Sequence, residues 1–282
     1  MSKINYYILL KDLAIIIFSI LLGVYSLINT SSIFVSILIS LWLGFWIHAL
    51  SLFIHEGSHG NLTENKKVND LISNILSILL LSINLSEYRI KHWGHHKHLG
   101  TIQDTENSYF NSLNFKNIFK FLTGLWTVTV ILNLNNKKNE ISINFYSKII
   151  FLLTHSFFLS ILLFESNYHL FLFYILSFFI FFPFFGIIRQ ILEHRNYLAH
   201  NKIDYSKVDH GENNKIFGDS FFSKYFGAAG FNKHLLHHIN PNISYTKFND
   251  FEKTLNLNPK YKNIFQENRT SYIKAFKNLF VF

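Results

Sequence analysis

Four long apolar runs, grouped in two pairs, constrain this chain more than any other feature. Residues 12–29 (DLAIIIFSILLGVYSLIN) and 33–54 (IFVSILISLWLGFWIHALSLFI) are separated only by Thr30, Ser31 and Ser32. Residues 149–164 and 170–188 are separated by ESNYH. Each run approaches the roughly 20 apolar residues that carry a helix across a bilayer. A secretory signal peptide is a poorer account of the first run, which is long, lacks a small-residue cleavage pattern and leads at once into the second. The expected fold is all-α: a multi-pass membrane helical bundle with four spanning helices in two hairpins.

Two shorter apolar stretches, 71–85 and 118–134, are expected in the membrane interface or against the bundle. The second is interrupted by Lys120, Gly124 and Trp126. Each hairpin returns the chain to its starting side, so residues 55–146 and 189–282 are expected to form a cap there. No repeat beyond the hairpins and no low-complexity linker divides the chain, and residues 1–282 read as one domain. The proposed outer loops carry no Lys or Arg, whereas Lys3, Lys66, Lys67, Lys91, Lys97, Arg195 and Lys202 lie on the other side. By the positive-inside rule the cap and both termini face the cytoplasm, with a bacterial cytoplasmic membrane as the expected setting.

Composition narrows the chemistry. The chain is 49% hydrophobic, carries a formal net charge of +9 and contains no Cys. A basic balance can signal nucleic acid or an anionic membrane surface; beside these apolar runs it signals the membrane, and no nucleic-acid partner is expected. Without Cys there is no disulfide framework and no thiolate ligand for an iron–sulfur cluster or a Cys-type zinc site. Any electrons for redox work must come from another protein.

The cap is rich in histidine. Of 15 histidines in the chain, His55 and His59 fall in HEGSH, His92, His95, His96 and His98 in HWGHHKH, and His234, His237 and His238 in HLLHH. Each group adjoins a predicted membrane boundary. A single histidine is usually a satisfied polar residue, but the HxxHH spacing occurs twice, and on a helix it turns several imidazoles to one face. Imidazole suits zinc, copper, iron and nickel. One tetrahedral zinc needs about four ligands, so nine clustered histidines point to two ions. Paired iron that activates dioxygen is chemistry that accounts for their place at a membrane surface. A competing reading takes HEGSH as the HExxH motif of a zinc peptidase, with Glu56 as the general base; it leaves both HxxHH groups unexplained. A metal-binding or transport protein is a third reading, disfavoured because the spans hold little polarity beyond His48 and His155.

HEGSH, then HWGHH followed by LGTIQDTE, then HLLHHINPNISYTKF, resembles the membrane fatty-acid desaturase superfamily of non-haem di-iron enzymes. The likeness extends from about Trp46 to about Phe248. That family has HxxxH, HxxHH and HxxHH boxes in this order, with a pair of spanning helices before the first box and another between the second and third. Thr105 stands where the family often has Pro in its acidic segment. The resemblance implies a fatty-acid desaturase acting on a membrane lipid or acyl substrate, with two Fe ions as cofactor and O2 as co-substrate. An external ferredoxin, or a b-type cytochrome with its reductase, would supply the electrons. A hydroxylase or ketolase of a lipid, alkane or carotenoid is the close alternative.

The resemblance also adds His194, through the Glu193-His194 pair after the last span. The implied metal ligands are then His55, His59, His92, His95, His96, His194, His234, His237 and His238, with no catalytic residue beyond the metal site. Glu193, Asp104 and Asn232 are expected as polar neighbours of the ligands. His98 is expected at the surface or beside a ligand, His155 as a neutral histidine bonded between helices, and His169, His200 and His210 in loops. The Phe-rich stretch from Phe178 to Phe185 is expected to face lipid and pack the bundle.

Overall fold

Asparagine and serine decide where the helices begin. The side chains of Asn5, Ser32, Asn65, Asn84, Asn114 and Asn167 each accept an amide of the turn that follows, satisfying donors that a helix start leaves unpaired. The computed structural model describes residues 3–106, 108–110, 112–125, 145–196 and 207–279. In order, the longer elements are α1 (Tyr6–Ile28), α2 (Ile33–Ser58), α3 (Lys66–Leu81), α4 (Leu85–His98), α5 (Phe115–Leu122), α6 (Phe145–Phe164) and α7 (Tyr168–His194). The cap adds α8 (Phe221–Phe226), α9 (His234–Ile239), α10 (Phe248–Leu255), α11 (Pro259–Asn268) and α12 (Tyr272–Asn278). Among the described residues no strand forms, and a single bridge pairs Ile216 with Arg269.

α1, α2, α6 and α7 are long and apolar enough to cross a membrane, at 23, 26, 20 and 27 residues. At 1.5 Å per residue each covers about 30 Å or more, the thickness of a bilayer core. They are longer than the apolar runs suggest, because charged residues at their ends are absorbed by tertiary contacts. The Asp12 carboxylate accepts the Tyr245 hydroxyl at 3.1 Å, so α1 runs through Lys11 and Asp12 to start at Tyr6. α7 continues beyond 188 because Arg189 pairs with Glu193 one turn on, at 2.7 Å.

α2 is central and packs against α1, α3 and α7. Two glycines allow it. A Cβ on Gly44 would lie 2.4 Å from the Cβ of Phe181, and one on Gly57 would lie 1.7 Å from the Ser73 hydroxyl. At the Gly44 crossing α7 is not a regular α-helix: Leu176–Phe181 forms a π-turn in which the Phe182 amide reaches back to Ser177. Pro183 follows, with no amide hydrogen for the Phe179 carbonyl, and such a gap in the ladder favours local widening. The Phe-rich stretch turns inward here, with Phe178 and Phe182 buried, so it packs the bundle more than it faces lipid.

The segment expected at 71–85 forms α3, which lies against α2 and α6, and the chain then bends by 84° into α4. Ser82, with φ of 59°, makes the break. His155, within α6, donates through Nε2 to the Leu79 carbonyl at 2.9 Å and bonds the Tyr174 hydroxyl through Nδ1 at 2.5 Å, joining α3, α6 and α7. α5 is short and amphipathic, with Phe115, Phe119 and Leu122 exposed and Phe121 buried. The rest of the 118–134 expectation, from 126 onward, lies outside the described residues, as does His200.

Candidate metal centre

The last turn of α2 carries His55 and ends at His59, whose amide bonds back to Glu56 and Gly57. Arg89 on α4 docks onto this helix end. Its guanidinium donates to the Gly57 and Ser58 carbonyls at 3.1 and 2.9 Å and to Asp70, on α3, at 2.5 and 3.2 Å. Carbonyls left over at a helix C-terminus favour such a cation. One turn beyond Arg89, His92 therefore arrives beside His55 and His59, with ring centroids 4.4 and 4.9 Å away. The capping box of Asn84 and Glu87 fixes the start of α4 and hence its register.

The third histidine stretch is positioned from the cap. Lys233, buried immediately before His234, donates to Asn249 at 2.6 Å and Glu252 at 2.7 Å and pairs with Asp219 at 2.9 Å. His194 sits at the end of α7, where the Lys215 ammonium donates to the Leu192 and Arg195 carbonyls at 2.8 and 2.9 Å. Burial lowers this lysine to about 7 despite the nearby Glu193.

These elements bring all nine of the predicted ligand histidines together. His55, His59, His92, His96 and His237 form one group, with ligating nitrogens within 4.8 Å of one another. His95, His194 and His238 form a second, and His234 joins it through His194 and His238, with Nε2 atoms 3.1 Å apart in each pair. The two HxxHH stretches are split in opposite senses. The first gives His92 and His96 to the group of five and His95 to the group of four; the second gives His234 and His238 to the group of four and His237 to the group of five. His98, half-buried, belongs to neither group.

Carboxylates and carbonyls orient the rings from behind. His95 Nδ1 donates to Asp104 at 2.9 Å, His92 Nδ1 to Glu106 at 2.9 Å and His194 Nδ1 to the Asn213 carbonyl at 3.2 Å. With Nδ1 as the donor, Nε2 keeps its lone pair toward the cavity. Asp104 is itself held by the buried Tyr109 hydroxyl at 2.5 Å, and Glu106 by Gln190 at 3.0 Å. Burial would raise the Glu106 carboxyl, but the His92 hydrogen bond and the polar and cationic groups around it, His95 and Arg189 among them, outweigh it and hold it well below the usual range. Burial, together with neighbouring imidazoles, keeps His234, His237 and His238 neutral, the form that ligates a metal.

Of the expected polar neighbours, Asp104 and Glu193 lie at the cluster. Glu193 is fully buried, with one carboxylate oxygen on Arg189 and the other without a partner, and it groups with His194 and His234 as a further possible donor. The Asn232 amide donates to the Gly218 carbonyl at 2.7 Å and serves the cap loop rather than an imidazole. Sequence reasoning passed over Glu106, although DTE carries both acids, and it did not find Tyr109, Gln190 or Arg89. Within HEGSH, Gly57 meets Ser73 so closely that only glycine fits without movement.

The cluster fits bound metal on its own terms. Both ring nitrogens of His55 and of His59 are buried without a hydrogen-bond partner. Burying polar atoms in this way is costly unless something accepts their lone pairs. A set of imidazoles with few carboxylates suits a first-row transition ion rather than magnesium or calcium.

The sequence agrees with this geometry over most of its length. The family model for fatty acid desaturases matches residues 31–266, which include every histidine of both groups. No curated protein and no solved structure matches the chain. With four helices long and apolar enough to cross a membrane and a histidine cluster that could hold metal, the chain belongs to the fatty acid desaturase family.

Proposed function

We propose that this protein is an O2-dependent di-iron oxidoreductase that introduces a C=C bond into the acyl chain of a membrane lipid or fatty acid. The observation that carries the reading is the division of nine imidazoles into groups of five and four, enough donors for two ions side by side. Membership of the family makes the protein an oxidoreductase of the desaturase and hydroxylase type. The first iron would be held by His55, His59, His92, His96 and His237, and the second by His95, His194, His234 and His238. Bound there, the irons supply activation of dioxygen to an oxidant able to take hydrogen from an unactivated methylene.

The protein's own part is to orient and to exclude. Asp104, Glu106 and the Asn213 carbonyl fix three rings in the tautomer that presents Nε2. Burial of His55, His92, His95, His194, His234 and His237 keeps water away from the reacting centre. Electrons come from a separate donor, a ferredoxin or a b-type cytochrome with its reductase, since the chain has no Cys for a cluster. The loop charges support a cytoplasmic cap and cytoplasmic termini.

Hydroxylation or ketone formation on a lipid, alkane or carotenoid is the second reading, because removal of two hydrogens and insertion of one oxygen differ only in how the chain lies at the metals. A zinc peptidase is disfavoured by Glu56. It is 1% exposed and accepts the Tyr245 amide at 3.2 Å, leaving it poorly placed to activate water. The deciding experiment expresses the chain with a compatible donor and profiles host lipids by mass spectrometry. Species lighter by two hydrogens are expected. Gain of one oxygen would establish the second reading, and a zinc-loaded protein with peptidase activity would overturn both.

A further inference from the structure

The short helix α8 is built inside out. Ser223 is buried, its hydroxyl donating to the Phe217 carbonyl at 2.7 Å, whereas Phe221 is 78% exposed and Phe222 and Tyr225 are exposed beside it. In water an amphipathic helix turns its aromatic rings inward. α12 lies alongside through Tyr272, whose ring is 4.6 Å from that of Phe226, and it exposes Ile273. Lys224, Lys274 and Lys277 are exposed on the same two helices. An exposed apolar patch rimmed by polar residues marks a surface that meets something other than water.

The depth of α8 identifies what it meets. Phe226 stacks on Phe45 of α2 at 6.0 Å, and Phe45 meets Phe185 of α7 at 5.3 Å. Counted from the far ends of these helices, Ile33 and Tyr168, Phe45 and Phe185 stand about 18 and 26 Å along the spans, within the roughly 30 Å of a hydrocarbon core. α1 gives the same level independently. Lys224 and Tyr225 line one cavity with Lys11 and Asp12, and from Leu13 to Ile28 α1 carries no charge over about 23 Å. α8 therefore lies where the spans pass from acyl chains into head groups, with His55 about 15 Å further along α2.

We infer that α8 and α12 form a foot that seats the cap in the bilayer leaflet at the ends of the spans. Phe221, Phe222, Tyr225 and Ile273 enter the acyl chains, and Lys224, Lys274 and Lys277 meet anionic head groups. Aromatic rings favour this boundary. Lysine suits it too, because its stem lies along apolar surface while its ammonium reaches the phosphates, and the charge gives a preference for anionic lipid. α8 leads through Gly227 and Gly230 into His234, so the foot is the membrane contact nearest in the chain to the third histidine stretch. The inference rests on the four helices crossing a bilayer and does not depend on which reaction the metals perform.

The chain has no Cys, so single cysteines report one place at a time. Nitroxides on Phe221→Cys and Phe222→Cys, in full-length protein in lipid nanodiscs, are read by electron paramagnetic resonance against oxygen, which concentrates in acyl chains, and a water-soluble nickel chelate. Phe157→Cys, at an exposed position of α6, serves as the lipid reference, and Gln103→Cys, in the exposed loop beyond α4, as the water reference. Both α8 labels are expected to follow Phe157→Cys, gaining oxygen collisions and losing those with nickel. A bimane on Phe222→Cys should be quenched about threefold more by acyl-nitroxide phosphatidylglycerol than by the matching phosphatidylcholine. Lys224→Gln, Lys274→Gln and Lys277→Gln together should remove that difference. Nickel access matching Gln103→Cys at both α8 positions would overturn the inference. So would shielding from oxygen and nickel alike, the mark of a contact with a second copy or another protein. Equal quenching by the two lipids with all three lysines present would overturn the anionic preference. Water-like behaviour of Phe157→Cys would overturn the spans themselves, and the inference with them.

Discussion

The Nε2 atoms of His96 and His237 lie 2.9 Å apart although 141 residues separate them in the chain. α4 and α9 meet at this contact, and each lends histidines to both groups. The two groups are therefore interlocked. Replacing His237 by Ala should remove a donor from the group of five alone, lowering metal content by about half and abolishing turnover. His98→Ala should change neither. Metal analysis of purified protein by mass spectrometry checks both, and full metal content in His237→Ala would remove it from the ligand set.

Glu106 reaches the histidine cluster through the hydrogen bond it accepts from His92. Glu106→Gln keeps the shape and a weaker hydrogen bond but loses the charge, and an effect of about 10–100-fold on metal affinity or activity is expected. Competition with a chelator measures the affinity directly. An unchanged affinity would mean that Glu106 is merely a half-buried acid paired with Gln190.

Gly57 and Ser73 set how closely α3 approaches α2. Gly57→Ala would gain about 1 kcal/mol of helix propensity, yet the added methyl meets the Ser73 hydroxyl, and overpacking of this kind costs about 1–3 kcal/mol. Net destabilisation is expected in thermal unfolding of detergent-solubilised protein. Adding Ser73→Gly to the same chain should recover part of the loss, a recovery that an unrelated defect would not show.

Arg89 should matter through its forked geometry rather than its charge alone. Arg89→Lys keeps the charge but cannot serve Gly57, Ser58 and Asp70 together. Both Arg89→Lys and Arg89→Met should loosen α4 and reduce metal content, Met more than Lys, with each lost charged hydrogen bond costing about 1.5–3 kcal/mol. Equal loss in both variants would point to the packing of the side chain instead.

His155 offers the contrasting case, a histidine within α6 that lies in neither histidine group. His155→Phe leaves the Tyr174 hydroxyl and the Leu79 carbonyl without their partner, at a cost of about 1–3 kcal/mol. Thermal stability should fall while metal content and product profile stay unchanged. A loss of metal would tie the α3–α6 contact to the centre after all.

Apolar periodicity and HxxHH spacing carried most of the architecture, because both reflect constraints local to one helix. The partition of the histidines was not legible. Spacing shows that His92, His95 and His96 share a face, but which of them turns to which group depends on the angle at which α4 meets α9. The 84° bend after α3 was hidden for the same reason: Ser82 carries a left-handed conformation that is unusual for a non-glycine residue. Asparagine supplies caps at helix after helix, a role that its abundance in the composition does not reveal. Charged residues near span ends, such as Asp12 and Arg189, read as boundaries until their partners Tyr245 and Glu193 are seen.

The crossed sharing of histidines also orders biosynthesis. By residue 98 the emerging chain already holds His55, His59, His92 and His96, four members of one group, but only His95 of the other. The second group is completed by His194, the last residue of α7, and by His234 and His238 beyond it. A chain that stops before His234 thus lacks donors for the second group, so under the proposed chemistry it could not assemble the pair that turns dioxygen on the surrounding membrane.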